Sequence, residues 1–450
     1  MANSRKPKRA EVEHQVAAVL ARHVPAHAYL VLGFSGGVDS RVLLDVLAKL
    51  ASIHPFRLAC LHVHHDISPN ADAWARFAVH TAAGYGLGCA VEHVDIRPHR
   101  RAGLEAAART ARYEAFARTQ ADFILSAQHL DDQAETLLLQ LTRGAGVAGL
   151  AAMPEIRDLT PEKKLLRPLL EMSRARIEDY AHRHRLEWIE DESNADDSLA
   201  RNYLRREIMP RLARLNTGVA ANLARSAKHL GEANTLLEQL AAADARIYVR
   251  GPVLKLAALR ELSVPRARNL LRVWLNAAGA GIPNTQALEE IYLQLRDAKI
   301  DAQVQYAFGN VVLRRYREEA TLMALPMATS SLNATWRGDQ EWRLPELGGR
   351  FHFEYVRGRG IRVDAMRGQV QARLREGGEK FRPDPRRPRR SLKKLLQDQG
   401  IAPWERDRLP LLYCNEELAF VPGVGVCSSL QAAPDEAGLE VRWQLDLAQQ

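Results

Sequence analysis

The sequence predicts an α/β fold, in which a doubly wound parallel-sheet domain is followed by a helical domain and a smaller α+β C-terminal domain. Three observations predict it. Short apolar runs alternate with segments of helical period through the first half; the strand signal then disappears between Leu199 and Leu295; and beyond Thr329 short β-like pieces with glycines surround a strongly basic stretch.

The first apolar runs are Tyr29–Phe34, Leu58–Val63, Ala90–Val94 and Phe123–Ser126. Between the first two, Leu43, Val46, Leu47 and Leu50 recur at i, i+3, i+4 and i+7, one face of a helix. Parallel strands need a crossover connection and a helix supplies it, so the alternation means βαβ units on a parallel sheet. Such sheets bind their ligands at the carboxyl ends of the strands. From Leu199 to Leu295, Ala, Leu, Arg and Glu dominate, and Asn222, Ala224, Ala227, Leu230 and Leu237 lie in one long helical stretch. The basic segment runs from Arg373 to Arg408, centred on Pro385, Arg386, Arg387, Pro388, Arg389 and Arg390. No repeat of solenoid period interrupts this order. The expected domains are residues 1–215, 216–328 and 329–450.

At 450 residues the chain is too long for one ordinary core. A balance of 46% hydrophobic and 26% charged residues fits a soluble globular protein. No stretch approaches the roughly 18 apolar residues of a membrane span. The basic opening MANSRKPKRA lacks the apolar run of a secretory leader, so a cytoplasmic location and no membrane partner are expected. Cys60, Cys89, Cys414 and Cys427 form no CxxC pair, which argues against a disulfide framework and a structural zinc or iron–sulfur site. A net charge of +9 favours a polyanionic partner, nucleic acid before others.

Phe34-Ser35-Gly36-Gly37-Val38-Asp39-Ser40 stands directly after a predicted strand and before a predicted helix. Gly36 and Gly37 let successive amides turn inward on a phosphate. The helix start adds free N–H groups and the positive end of its dipole. Ser35 and Ser40 can donate to phosphate oxygens, and Asp39 can hold a magnesium ion or orient the loop. A glycine turn capped by Asp39 or Ser40 is the plain alternative. The string is neither a Walker loop nor GxGxxG. It resembles the SGGxDS pyrophosphate loop of the ATP pyrophosphatase (PP-loop) group, whose members cleave ATP between the α and β phosphates. That resemblance makes the first domain nucleotide-binding and ATP its cofactor.

After the fourth strand, Leu130, Ala134, Leu137 and Leu141 form an apolar stripe, while Asp131, Asp132 and Glu135 share a neighbouring flank. These acids are either a solvated first turn or a site for Mg2+ or for the ammonium groups of a cationic substrate. His129 is either a nucleotide contact or a structural hydrogen-bonder. Glu105, Arg109, Arg112 and Tyr113 share one helical face, as a phosphate contact or as a surface ion-pair ladder.

Taken together, FSGGVDS from Phe34, HVHHDISPNADAW from His62, ARTARYEAFA from Ala108 and HLDDQAETLLLQLTRGAGVAGLAAMP from His129 resemble the tRNA(Ile)-lysidine synthase family. The resemblance continues through LLRPLL from Leu165, WIEDESNADDSLARNYLRREIMPRL from Trp188 and SLKKLLQDQGIAPWERDRLPLLY from Ser391. It implies a ligase that joins L-lysine to the wobble cytidine of tRNA(Ile) with a CAU anticodon, forming lysidine and switching decoding from AUG to AUA. ATP adenylates the cytidine C2 oxygen; the lysine side-chain amine then displaces AMP. Carried onto this chain, Ser35, Gly36, Gly37, Val38, Asp39, Ser40 and Arg112 bind ATP, with Asp39 and Asp132 as Mg2+ ligands. Asp131, Asp132 and Glu135 serve lysine, and the catalytic set is Asp39, Asp132 and Glu135, with Asp132 or Glu135 accepting the amine proton. Arg205, Arg386, Arg387, Lys393 and Lys394 are expected at tRNA phosphates; Arg143 is a further candidate for ATP or RNA phosphate. Arg382, Arg389 and Arg390 join the basic cluster, with Phe381 and Trp404 offered for base stacking; a disordered basic linker is its alternative. The oligomeric state is left open, a homodimer among the options.

One departure stands out: Asp66 occupies a place where the family's histidine-rich string usually has glycine. Aspartate tolerates left-handed dihedrals better than most residues, so the turn can survive. Two rival functions share parts of the pattern. A PP-loop tRNA thiolase or an amidotransferase-type synthetase would carry the loop but needs paired cysteines or a glutaminase domain. A non-catalytic RNA-binding protein would bind tRNA without ATP turnover.

Overall fold

A computed structural model describes residues 11–190, 192, 200–279, 281, 283–298, 304–308, 311–324 and 332–446. Most of the DESN string, Asp191 and residues 193–199, lies outside the described residues. The chain divides into two compact units, Met1–Leu240 and Ala241–Gln450.

The strands of the first unit are β1 (Tyr29–Gly33), β2 (Arg57–His64), β3 (Cys89–His93), β4 (Phe123–Leu125), β5 (Ile156–Thr160) and β6 (Lys163–Leu166). They form one sheet in the order β3-β2-β1-β4-β6-β5. All neighbours are parallel except the β5–β6 hairpin. The four apolar runs of the sequence thus became β1 to β4. Strand order reverses between β1 and β4, and a crevice opens at such a reversal because the connections leave toward opposite faces.

Its helices are α1 (Glu11–His23), α2 (Val38–Ala51), α3 (Ala71–Ala83), α4 (Leu104–Arg118), α5 (Leu130–Thr142), α6 (Val147–Leu150), α7 (Arg174–Arg183), α8 (Ala200–Tyr203), α9 (Met209–Leu215) and most of α10 (Val219–Tyr248), whose last eight residues belong to the second unit. A π-helical segment, Leu204–Ile208, joins α8 to α9. Side chains alternate across a strand, so β1 serves two cores. Leu30 and Leu32 pack with Val16, Val42, Leu47, Ala78 and Ile177 from α1, α2, α3 and α7. Val31 points the other way, to Phe116 on α4 together with Ile124 and Leu165. Gly33 allows this second contact, since a Cβ there would stand 2.6 Å from Phe116 Cζ.

A buried carboxylate ties α2 to its neighbours. Asp45 accepts from Tyr85 Oη at 2.6 Å and Tyr180 Oη at 2.7 Å, and pairs with Lys49 Nζ at 2.7 Å. Burial pushes the Asp45 carboxyl up, yet the hydrogen bonds from Lys49, Tyr85 and Tyr180 outweigh it and hold the group below its ordinary value.

In the second unit, helices Val264–Ala277 and Thr285–Asp297 pack Leu270, Leu271, Trp274, Ile291 and Leu295 against Leu313 and Leu322. Those last two belong to a five-stranded antiparallel sheet ordered Val249–Arg250, Val253–Lys255, Glu319–Ala324, Val311–Tyr316, Gln305–Phe308. The helices expected here are present; the sheet is an addition that the sequence reading lacked. Farther on, a five-stranded sheet containing Val370–Arg373, Leu411–Cys414 and Glu417–Val421 shares a core with a four-stranded one built on Gly349–Arg357 and Ala437–Leu445.

Candidate active site

The phosphate-loop string forms the turn from β1 into α2. Gly36 has φ 88°, a conformation that favours glycine, and a Cβ there would meet Ile189 Cδ1 at 2.7 Å. Ile189 N also donates to Gly36 O at 2.9 Å, so the loop is clamped from outside by the chain after α7. Ser40 Oγ donates to Gly37 O at 3.0 Å and lies 3.1 Å from Ser35 Oγ. No side chain caps α2, whose N-cap is Gly37 and whose first residue is Val38. The turn therefore presents uncapped helix amides beside two hydroxyls, a cradle suited to an anion.

Across the β1–β4 crevice, α5 begins at His129. Its side chain is 2% exposed and its Nε2 stands 3.7 Å from Asp39 Oδ1 and 3.5 Å from Asp132 Oδ2. The imidazole thus bridges the end of the phosphate loop and the acidic helix. Asp132 Oδ2 also accepts from His129 N at 3.0 Å, closing the helix start. Burial pushes the Asp39 carboxyl above its ordinary value, against His129 and Arg174, and its Oδ1 is buried with no hydrogen-bond partner. Asp132 behaves oppositely: burial raises it, but His129 and Arg201 and the bond from His129 N outweigh that and lower it. The two neighbouring carboxylates are thus shifted in opposite directions, a pattern common where cations and protons are handled and also in structural ion-pair networks.

The rest of the acidic flank is engaged by protein groups. Asp131 Oδ2 accepts from Arg174 N at 2.8 Å, at the start of α7. Glu135 is 1% exposed, and its carboxylate is held by Arg201 Nε at 3.1 Å and by Arg205 Nε and Nη2 at 2.7 and 3.0 Å. Arg205 Nη2 also lies 3.4 Å from Asp132 Oδ1. Arg205, expected at tRNA phosphate, is here turned inward onto acids. Arg201 and Ile189 were not singled out from sequence. The spacing of Arg201 and Arg205, one helical turn apart, signals a shared face; nothing in the sequence says which acid that face meets.

Arg112 projects from α4 with an exposed side chain. Its charge adds to burial in depressing His65 to about 4. Arg109 and Arg157 flank the Tyr113 ring at 5.3 and 5.1 Å. Arg143, at the end of α5, is exposed.

In the second unit the centre of the basic segment is a loop between paired strands Lys380–Phe381 and Arg390–Ser391, followed by helix Leu392–Asp398. Arg386, Arg387 and Arg389 are exposed on the loop, and Lys393 and Lys394 on the outer face of the helix. Arg382 donates to Ser428 Oγ at 3.0 Å and Arg390 pairs with Asp398 at 2.6 Å. Phe381 corrects the stacking expectation: it is 1% exposed and packs with Leu392, Leu395 and Leu396, so no base can reach it. Trp404 is half-buried, its ring beside Tyr316 and the Arg314 guanidinium.

The parallel sheet, the loop at its strand reversal and the opposed acids define a PP-loop domain, and the PP-loop domain family matches residues 8–212. The TilS substrate binding domain matches residues 254–321 and the TilS substrate C-terminal domain residues 370–443. Three tRNA(Ile)-lysidine synthases are similar over most of their length. That of Nitrosomonas europaea is 41% identical, covering 92% of this chain and 91% of its own. That of Methylococcus capsulatus is 39% identical over 93% and 97%, and that of Burkholderia pseudomallei 37% over 94% and 95%. Among solved structures, the U34-tRNA thiolase NcsA from Methanococcus maripaludis overlaps 49% of this chain and 79% of its own at 20% identity, TM-score 0.43. The chain is a PP-loop, ATP-dependent ligase. It belongs to the tRNA(Ile)-lysidine synthase family.

Among the described residues no helix is long and apolar enough to cross a membrane.

Proposed function

We propose that this chain joins L-lysine to the wobble cytidine of tRNA(Ile) with a CAU anticodon, releasing AMP and pyrophosphate. The observation that carries the reading is the opposition of the Ser35–Ser40 loop and Asp132 across buried His129 at the strand reversal. Uncapped amides on one side and carboxylates on the other are what an ATP-driven attack by an amine needs.

In the first step the cytidine C2 oxygen attacks the α phosphorus, and the bond to the β-phosphate oxygen breaks. The loop amides, Ser35 and Ser40 hold the departing pyrophosphate, with Arg112 reaching the phosphates from α4. In the second step the lysine side-chain nitrogen attacks C2, AMP leaves with the former C2 oxygen, and the amine gives up a proton. Asp132 is the proton acceptor of this proposal, since Glu135 is already saturated by Arg201 and Arg205. Asp131 and Asp132 offer carboxylate oxygens to the ammonium groups of lysine. Asp39 and Asp132 suit Mg2+: hard oxygen donors are what it takes, and Asp39 Oδ1 is buried with no hydrogen bond of its own. When bound, Mg2+ neutralises charge building on the phosphates.

In this reading residues 1–215 carry ATP and lysine chemistry, while 216–328 and 329–450 hold tRNA, the last through Arg386, Arg387, Lys393 and Lys394. A thiolase reading is disfavoured by Cys60 and Cys89. Burial pushes these register partners to about 12 and 11, so neither is poised as a thiolate.

The test is transfer of radiolabelled lysine to tRNA. Label should reach tRNA(Ile) with CAU only when ATP is present, with AMP as coproduct. Release of ADP, or tRNA binding without any turnover, overturns the reading.

A further inference from the structure

Outside that crevice, the parallel register of β2 and β3 sets His64 opposite His93. Their rings lie 4.3 Å apart between centroids. The turn after β2 brings Asp66 back over both: its Oδ1 is 2.8 Å from His64 Nδ1 and 3.6 Å from His93 Nδ1. Asp66 reaches that place with φ 53°, a left-handed conformation that aspartate accepts more readily than most side chains.

His64 is the informative member. It is 3% exposed, and its Nδ1 makes no hydrogen bond although Asp66 stands so near. Its other nitrogen, Nε2, faces Asp72 Oδ1 at 3.2 Å from the first turn of α3. With Nε2 donating to Asp72, Nδ1 is left with a lone pair beside a carboxylate oxygen 2.8 Å away, a repulsion that a proton or a metal ion relieves. A histidine whose far N–H is held by a carboxylate is the usual way of orienting a metal ligand.

We propose that His64 Nδ1, Asp66 Oδ1 and His93 Nδ1 bind a divalent transition-metal ion of the zinc class, with Asp72 as the positioning residue behind His64. The three ligand atoms all lie within 4.8 Å of one another. Ligands about 2.0–2.2 Å from a tetrahedral ion sit roughly 3.3 Å apart, so only small movements of exposed side chains complete the set. Two imidazoles and one carboxylate suit Zn2+ or Co2+ and are a poor set for Mg2+, which prefers oxygen. The exposed Asp66 and His93 leave an entry path and a position for water. Two residues earlier on the same strand, His62 Nδ1 lies 3.0 Å from Phe34 O, so the ion would pin a turn next to the strand that contacts the phosphate loop. The ion's binding does not depend on the ligase reading.

The experiment uses untagged full-length protein, stripped with chelator and titrated with Co2+ in excess Mg2+. One Co2+ per chain is expected, with visible d–d bands that Zn2+ abolishes. Asp66→Asn and His93→Ala should each weaken Co2+ at least about tenfold, and Asp72→Asn by a similar factor. Both ligands are exposed, so these variants should fold; unchanged circular dichroism checks it. Absence of stoichiometric bands in the wild type, or equal affinity in the variants, overturns the site and leaves His64 as an ion-paired histidine only.

Discussion

Arg205 Nε donates to Glu135 Oε1 across 2.7 Å although the two residues are 70 positions apart. Glu135 is nearly enclosed, with a side chain 2% exposed, while Arg205 keeps 30% of its own. Arg205→Ala and Glu135→Gln should therefore each lower the melting temperature, and the double variant should lose less than the sum. The coupling energy expected is about 1–2 kcal/mol, below that of a fully buried pair because Arg205 remains partly solvated. Were Glu135→Gln to melt normally yet lose lysine transfer, Glu135 would act on substrate rather than on Arg205.

Gly36→Ala introduces a Cβ where φ is 88° and Ile189 Cδ1 would be 2.7 Å away. The backbone term alone is about 1–2 kcal/mol. ATP–pyrophosphate exchange should fall roughly tenfold or more, and Ile189→Ala should restore part of it by removing the clash. Exchange at the normal rate in Gly36→Ala would mean that the loop amides do not meet phosphate.

Lys393→Glu with Lys394→Glu should weaken tRNA binding and reduce the steepness of its salt dependence by about two counter-ions. Both side chains are exposed on the helix whose Leu392, Leu395 and Leu396 face inward, so folding should be unaffected. Filter binding across a salt series measures it, and equal slopes would remove these lysines from the interface.

Acid should expose the Asp45 network. Its carboxyl is held below the ordinary value of 3.8, so the native state favours the charged form. The resulting stability is fully present above about pH 3.8 and is lost as pH falls through the lowered value. Asp45→Asn should be less stable than wild type at neutral pH, and the gap should narrow below pH 3.8. A gap that stays constant through acid unfolding would show that Asp45 charge contributes nothing.

Much of the catalytic half was readable because its signals are local. Leu30 to Leu32 form an apolar run, Gly36 and Gly37 sit between strand and helix, and Asp132 follows at the next strand end. What the sequence withheld is the identity of distant partners. Helical period puts Glu135 beside Asp132, but cannot tell that Arg201 and Arg205 arrive from beyond α7 to occupy it. Composition misled at Phe381, whose basic neighbours suggest an exposed aromatic although strand pairing turns it into the Leu392 core. In the segment from Val249 to Ala324, strands as short as Val253–Lys255 are too brief to show a period of two against strong helical neighbours, so the sheet went unseen.

That inward turn of Phe381 fastens one leg of the two-stranded ribbon, and the Arg390–Asp398 pair fastens the other. Arg386, Arg387 and Arg389 are thus displayed on a loop with both ends anchored, not strung along a free tether. A polyanion docking there has little chain motion left to freeze out, so it should be discriminated by the spacing of its phosphates and not merely by how many it carries.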